Sequence, residues 1–213
     1  MITRINEFYT QISALYGRAF FHDPLYAYII PDDAVRESLV GWEMGRVARY
    51  CLRFGEVYAT PGLTGCACWL PPGQTDFTQD RMDQVGMDDA ATRLGPEAAA
   101  RYEIFVAESE HYHHQVAPGP HWYLVVLGVE PAHQGRGLGR ALLQPVLARA
   151  DAGGTRSIWK QQMKVTWVFT PGLALQSKPR RGSLAAGPVC GIWCGNRTFT
   201  HPLPNLNPLL GLP

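Results

Sequence analysis

Residues Gln134 to Gly139 read QGRGLG and run straight into Arg140. Three glycines in six positions let the main chain approach a guest closely, and a helix beginning here aims several backbone N–H groups at one place. The helix dipole favours negative charge there, and Arg136 and Arg140 can add charge-assisted hydrogen bonds. The chemistry implied is anion binding, with a pyrophosphate as the natural guest. No Lys-Ser or Lys-Thr closes the run as in a Walker A loop, and Arg140 stands where a dinucleotide fingerprint needs its third glycine.

Other residue types capable of chemistry are less organised. Glu108, Glu110, His121 and Tyr123 lie near or on an apolar segment and are candidate proton acceptors, but their spacing assigns none of them a catalytic role. His111, His113 and His114 invite a metal reading; no carboxylate or cysteine spacing supports it, and they read as a solvated helix end. Cys51, Cys66, Cys68, Cys190 and Cys194 are odd in number and lack the paired spacing of a zinc site, so they read as reduced packing thiols.

The elements that must position the glycine run follow from periodicity. HWYLVVLGV, residues 121–129, is continuous in apolar, β-branched and aromatic residues, as a central strand covered on both faces would be. A short turn over Glu130 to His133 leads to the glycine run and a helix ending at Gly153 and Gly154, with Pro145 inside it. Upstream, Ile5, Phe8, Ile12, Leu15 and Ala19 predict a helix over 5–20, FHDPLYAYIIPDD a loop, and Asp32 or Asp33 the cap of a helix over 33–54. GEVYATPG and GCACWLPPG predict a strand pair, and Pro96 begins a helix to about His114.

With Val129 and Pro131 before it, and Gln134, Gly137 and Gly139 within it, the run LVVLGVEPAHQGRGLGRALLQPVL resembles motif A of the GNAT superfamily of acyl-CoA-dependent N-acetyltransferases. GEVYATP, CWLPPG and HWYLVVLGVEPAHQG extend the likeness to the puromycin N-acetyltransferase branch, over about residues 1–154. The resemblance implies an α/β, three-layer fold with a mixed central sheet flanked by helices, and acetyl-CoA as co-substrate without a metal. It also implies that Leu127, Gly128 and Val129 hold the pantetheine and acetyl carbonyl. Gln134, Gly135, Arg136, Gly137, Leu138, Gly139 and Arg140 then hold the pyrophosphate. The partner implied is a small-molecule amine that receives the acetyl group.

After residue 154 the resemblance stops. All 18 acidic residues lie at or before Asp151, alongside 12 basic ones, a net charge of −6; residues 152–213 hold seven basic residues and no acid. Lys160, Lys164 and Lys178 are the chain's lysines, all in this tail, and no tyrosine follows Tyr123. The family's next strand, asparagine-containing loop, tyrosine-bearing helix and R-L-G-F turn are missing. Permitted codons for residues 158–175, read one nucleotide upstream, spell HLETANEGNVGLYTRLGF, which looks like the missing segment; residues 187–197 permit GPRLWYMVRE. The expectation is a frameshift near Gly153 to Thr155. Residues 1–154 then form a GNAT-like acetyl-CoA-binding domain, and 155–213 an aberrant segment whose strands and helix are lost or irregular, apart from a chance strand in KVTWVF.

The remaining expectations concern location and partners. Trp159, Trp167, Phe169, Trp193 and Phe199 make the tail a poor solvated nucleic-acid arm, and the formal net charge of +1 gives no general pull on nucleic acid. The longest strongly apolar run is eight residues, Trp122 to Val129, against roughly 20 needed to span a bilayer. The start of the chain lacks a secretory pattern, so no membrane partner and a cytoplasmic location are expected.

Overall fold

An aspartate at each of two proline-flanked corners starts a helix. Asp23 Oδ1 accepts from Leu25 N–H at 2.9 Å at the head of α2 (Pro24–Ile29), and Asp32 Oδ1 from Ala34 N–H at 2.9 Å at the head of α3 (Asp33–Phe54). These sit in a computed structural model that describes residues 1–87, 90–159, 166–168 and 176–178 and divides into units 1–160 and 161–213.

In the first unit a five-stranded sheet runs β1 (Thr3–Ile5), β2 (Glu56–Ala59), β3 (Gly65–Leu70), β4 (His121–Val129), β5 (Arg156–Trp159) in spatial order. The first three pairings are antiparallel; β4 and β5 are parallel, joined through helix α7 (Leu138–Ala152). The sheet is therefore mixed, and helices cover it. The remaining helices are α1 (Tyr9–Ala19), α4 (Gln79–Gln84), α5 (Ala91–Leu94) and α6 (Pro96–Val116). Among the described residues no helix is long and apolar enough to cross a membrane.

Several elements differ from the periodicity reading. The first helix begins at Tyr9, because Thr3–Ile5 pair with Val57–Ala59 as an edge strand, and Phe8 at the helix start has φ 76°. FHDPLYAYII contains α2, which Asp23 caps. β5 lies within the stretch expected to lose its strands; parallel pairing uses main-chain groups, and Ile158 and Trp159 are strand-favouring types. In the second unit Thr166–Val168 (β6) pair antiparallel with Gln176–Lys178 (β7), Trp167 opposite Ser177. The chance strand in KVTWVF is thus present, and its partner is a second short strand. The rest of the tail, with Cys190 and Cys194, lies outside the described residues.

Strand β4 carries one extra residue. Cys68 pairs with Val126 and Trp69 with Leu124, so Val125 has no opposite number on β3. Such a bulge reverses which side chains face which way. Before it, Trp122 and Leu124 join the cluster under α7; after it, Leu127 and Val129 do, with Tyr58, Ala67, Trp69, Leu142, Leu143 and Val146. Gly128 consequently faces α1. A Cβ there would lie 2.6 Å from Tyr16 Cδ1, so the absence of a side chain lets α1 rest on the sheet. Tyr16 is fully buried and its hydroxyl donates to the Cys66 carbonyl at 3.3 Å. Burial, then the Cys66 and Cys68 thiols, push that hydroxyl well above the usual tyrosine range and keep it neutral.

Overpacking a filled core costs about 1–3 kcal/mol. Gly128→Ala is expected to lose stability on that scale in denaturant melts, and to lose clearly less when Tyr16→Ala has already removed the ring. Equal losses in both backgrounds would show that Tyr16 is not what Gly128 accommodates.

Candidate functional site

The end of β4 is half-paired. Its parallel partner β5 reaches only from His121 to Leu124, whereas β3 continues to Val129. Among the described residues, Val125 to Val129 therefore have a strand on one side only. Of the three residues expected there, Leu127 and Val129 turn their side chains under α7 and are half-buried, while Gly128 is buried against α1. Any contact these three make with a guest from the open edge is a main-chain contact.

Beyond Val129 the chain is fastened before it turns. Glu130 N–H donates to the Thr64 carbonyl at 2.9 Å, and the Glu130 carboxylate takes Arg18 Nε at 3.1 Å on both oxygens. That carboxylate raises the Arg18 guanidinium further above its usual value by hydrogen bonding. A single 3-10 turn spans Pro131–His133. Gln134 then reaches back, Nε2 donating to the Val129 carbonyl at 3.0 Å, so its side chain ties the loop to the strand end.

Gly135 and Gly137 have φ of 73° and 77°, the left-handed region in which a side chain is strained, and open space surrounds a Cβ built on either. Glycine is needed here for backbone shape. Gly137 is the N-cap of α7, with no side-chain cap and no acidic residue in the first turn. Among the described residues the N–H groups of Leu138, Gly139 and Arg140 meet no protein acceptor. Arg136 is exposed and donates to the Ala132 carbonyl at 3.1 Å, and Arg140, in the first turn of α7, is exposed too. Uncapped N–H groups, a positive helix end and two exposed arginines fit an anionic group. A carboxylate in that turn would compete with such a guest, and none is there.

The proton-acceptor candidates separate. Glu110 is exposed and Glu108 half-buried, both on α6; His121 and Tyr123 are buried on β4. Burial, and then Glu110 and Cys51, push the Tyr123 hydroxyl well above the tyrosine range, so it stays protonated. His113 corrects the reading of a solvated helix end. It is 5% exposed, its Nε2 lies 2.7 Å from His121 Nε2, and its ring stacks on Tyr123 at 4.0 Å between centroids. His111 and His114 are exposed as expected. Among the described residues no three His, Cys, Asp or Glu side chains are grouped to hold a metal. Cys51, Cys66 and Cys68 are buried free thiols. Hydrogen bonding to Cys68 raises the Cys66 thiol, and burial raises that of Cys68, so both stay neutral.

Two features of the site do not appear in the reading of the residues alone: the bulge at Val125 and the inward turn of His113. The four-residue interval from buried Ser109 to buried His113 is the signal that could have revealed the second.

Residues 97–164 match the model of the Acetyltransferase (GNAT) family. The match takes in α6, β4, the glycine loop, α7 and β5, and ends ten residues beyond 154. A solved structure described as histone acetyltransferase HPA2 and related acetyltransferase, from Corynebacterium glutamicum, is similar at 20% identity, over 70% of this chain and 71% of that one, with a TM-score of 0.42.

The two inner glycines are expected to answer alanine with opposite signs. Gly137→Ala forces a side chain into a left-handed backbone and costs about 1 kcal/mol. Gly139→Ala, whose Cβ would meet nothing closer than Leu127 Cδ2 at 3.7 Å, replaces a helical glycine and gains roughly 0.5–1 kcal/mol. Thermal melts of the two variants check this; a loss in both would mean that the helix start is shaped differently.

Proposed function

We propose that this protein transfers an acetyl group from acetyl-CoA to a small-molecule primary amine, as an N-acetyltransferase of the puromycin N-acetyltransferase branch. The observation that carries the reading is the glycine-cradled, uncapped start of α7, set directly behind a strand whose last five residues have a partner strand on one edge only among the described residues. Gly135 to Arg140 hold the pyrophosphate through main-chain N–H groups, with Arg136 and Arg140 adding charge. Gln134 acts one step back, keeping the loop on the strand end. Main-chain groups of Leu127, Gly128 and Val129 align the pantetheine along the open edge, and N–H groups near the strand end polarise the thioester carbonyl. Holding donor and acceptor together supplies much of the rate. The amine loses a proton before attack, the carbonyl carbon forms its bond to nitrogen as the bond to sulfur breaks, and the departing thiolate takes up a proton.

A second reading rests on the composition break after Asp151 and the absence of any tyrosine after Tyr123. On this reading residues 155–213 are the product of a frameshift, and the chain binds acetyl-CoA without efficient turnover. Losing the general acid of such a transfer costs about 10²- to 10⁴-fold in rate.

Free-thiol release from acetyl-CoA, followed across a panel of primary amines, separates the two. The enzyme reading expects amine-dependent release and a KM for acetyl-CoA raised about tenfold or more in Arg136→Ala/Arg140→Ala, since hydrogen bonds to charged groups contribute about 1.5–3 kcal/mol each. Acetyl-CoA binding without release supports the second reading, and neither binding nor release contradicts both. Peptide mass spectrometry of protein from its native host decides the origin of the tail. LETANEGNVGLYTR is expected if the frame is broken in the written sequence; VTWVFTPGLALQSK would show that the cell makes the tail as written.

A further inference from the structure

The buried contact between α6 and the first residue of β4 is made by two imidazoles. His113 and His121 are 5% and 4% exposed, with their Nε2 atoms 2.7 Å apart. His121 Nδ1 lies 2.7 Å from the Gly119 carbonyl, which can only accept, so that nitrogen carries a proton. A contact this short between two ring nitrogens needs one N–H and one bare nitrogen, so when His121 is neutral His113 donates and His121 accepts. If both rings were fully protonated, two N–H groups would meet head-on in a place closed to water. While the contact lasts, the pair can hold no more than one positive charge.

The pair is connected to the central strand. The His113 ring lies almost parallel to that of Tyr123, 11° between planes, and Tyr123 stands two residues before the bulge. His121 meets His113 edge-on at 4.9 Å between centroids, and His114 stacks on His113 at 5.4 Å. Among the described residues, charged and titratable groups around the pair include Glu110 and His114 on α6, Tyr123 on β4, Cys51 of α3 beside Tyr123, and Asp76 at 4.0 Å from His114. Glu110, His114 and Asp76 are exposed, where solvent and salt screen them.

We propose that His113 and His121 are a proton-sharing positioning pair that docks α6 and Tyr123 on the central strand ahead of the bulge. The pair releases α6 from the strand when the second ring takes up its proton. That this contact lies beside the acceptor amine rests on the acetyltransferase reading; the pair and its response to pH do not. The folded state then binds one proton fewer than the unfolded chain at low pH, so stability is present above the histidine range, near pH 6.5, and is lost as pH falls below it.

Denaturant melts of the full chain from pH 8 to pH 5.5 test this, with no acetyl-CoA required. Below about pH 6.5 the folding equilibrium of the wild type is expected to fall about tenfold per pH unit more steeply than that of His113→Phe/His121→Gln, which keeps a ring on Tyr123 and removes both titrating groups. The exposed-histidine variant His114→Gln is expected to run parallel to wild type. Parallel curves for wild type and the double variant would overturn the proposal. Should the double variant fail to fold, ¹⁵N spectra of the wild-type imidazoles decide. The expected spectrum has one bare Nε2 in the pair for as long as the α6 amides stay protected, and two doubly protonated rings in a folded protein would refute it. Thiol release unaffected by pH, with the stability result as expected, would count against the acetyltransferase placement alone.

Discussion

One surplus residue, Val125, governs the geometry of this protein. Without it, β4 would alternate regularly, and the residues that bury Leu124 under α7 would send Leu127 and Val129 to the opposite face. With it, both halves of the strand feed the same cluster beneath α7, and the opposite face receives Gly128, where α1 needs a residue without a side chain. The bulge also comes immediately after the last residue of β4 that β5 pairs. A distortion of one strand thus sets the packing on two faces and coincides with the point where, among the described residues, β5 ceases to pair.

The loop beyond β4 is fastened on one side and bare on the other. Thr64, Arg18 and Gln134 hold Val129 and Glu130 through main-chain and charged hydrogen bonds. The N–H groups of Leu138, Gly139 and Arg140 at the start of α7 have no protein acceptor among the described residues. Restraint next to unsatisfied donors is how a fold keeps an anion site ready, since the entropy of ordering the loop is met before a guest arrives. The polar groups behind the strand are arranged otherwise: neutral thiols, a neutral Tyr16 and a neutral Tyr123 carry no charge into the core.

Local chemistry decided what was legible in the residues alone. Asp32 followed by a long amphipathic run marked α3, Pro96 marked the start of α6, and the continuous apolar stretch marked β4. β1 was missed because three residues carry no periodicity of their own and pair only when Val57–Ala59 are beside them. α2 was missed because its six residues sit among prolines, where the Asp23 cap is easily read as a turn. The bulge leaves no trace in a run that is apolar at every position. His113 reads as part of a solvated helix end because no ligand spacing marks the three histidines, whereas the structure buries it one helical turn after Ser109. The turn at Gly135 and Gly137 was readable because positive φ demands glycine itself, whatever else surrounds it.

The most direct test of the account is amide chemical-shift mapping of the ¹⁵N-labelled full chain during titration with acetyl-CoA. Perturbations concentrated at Val125 to Val129 and Gly135 to Arg140, with α4 unchanged, are the predicted result. Binding that leaves both stretches unshifted, or titration without any response, would contradict it.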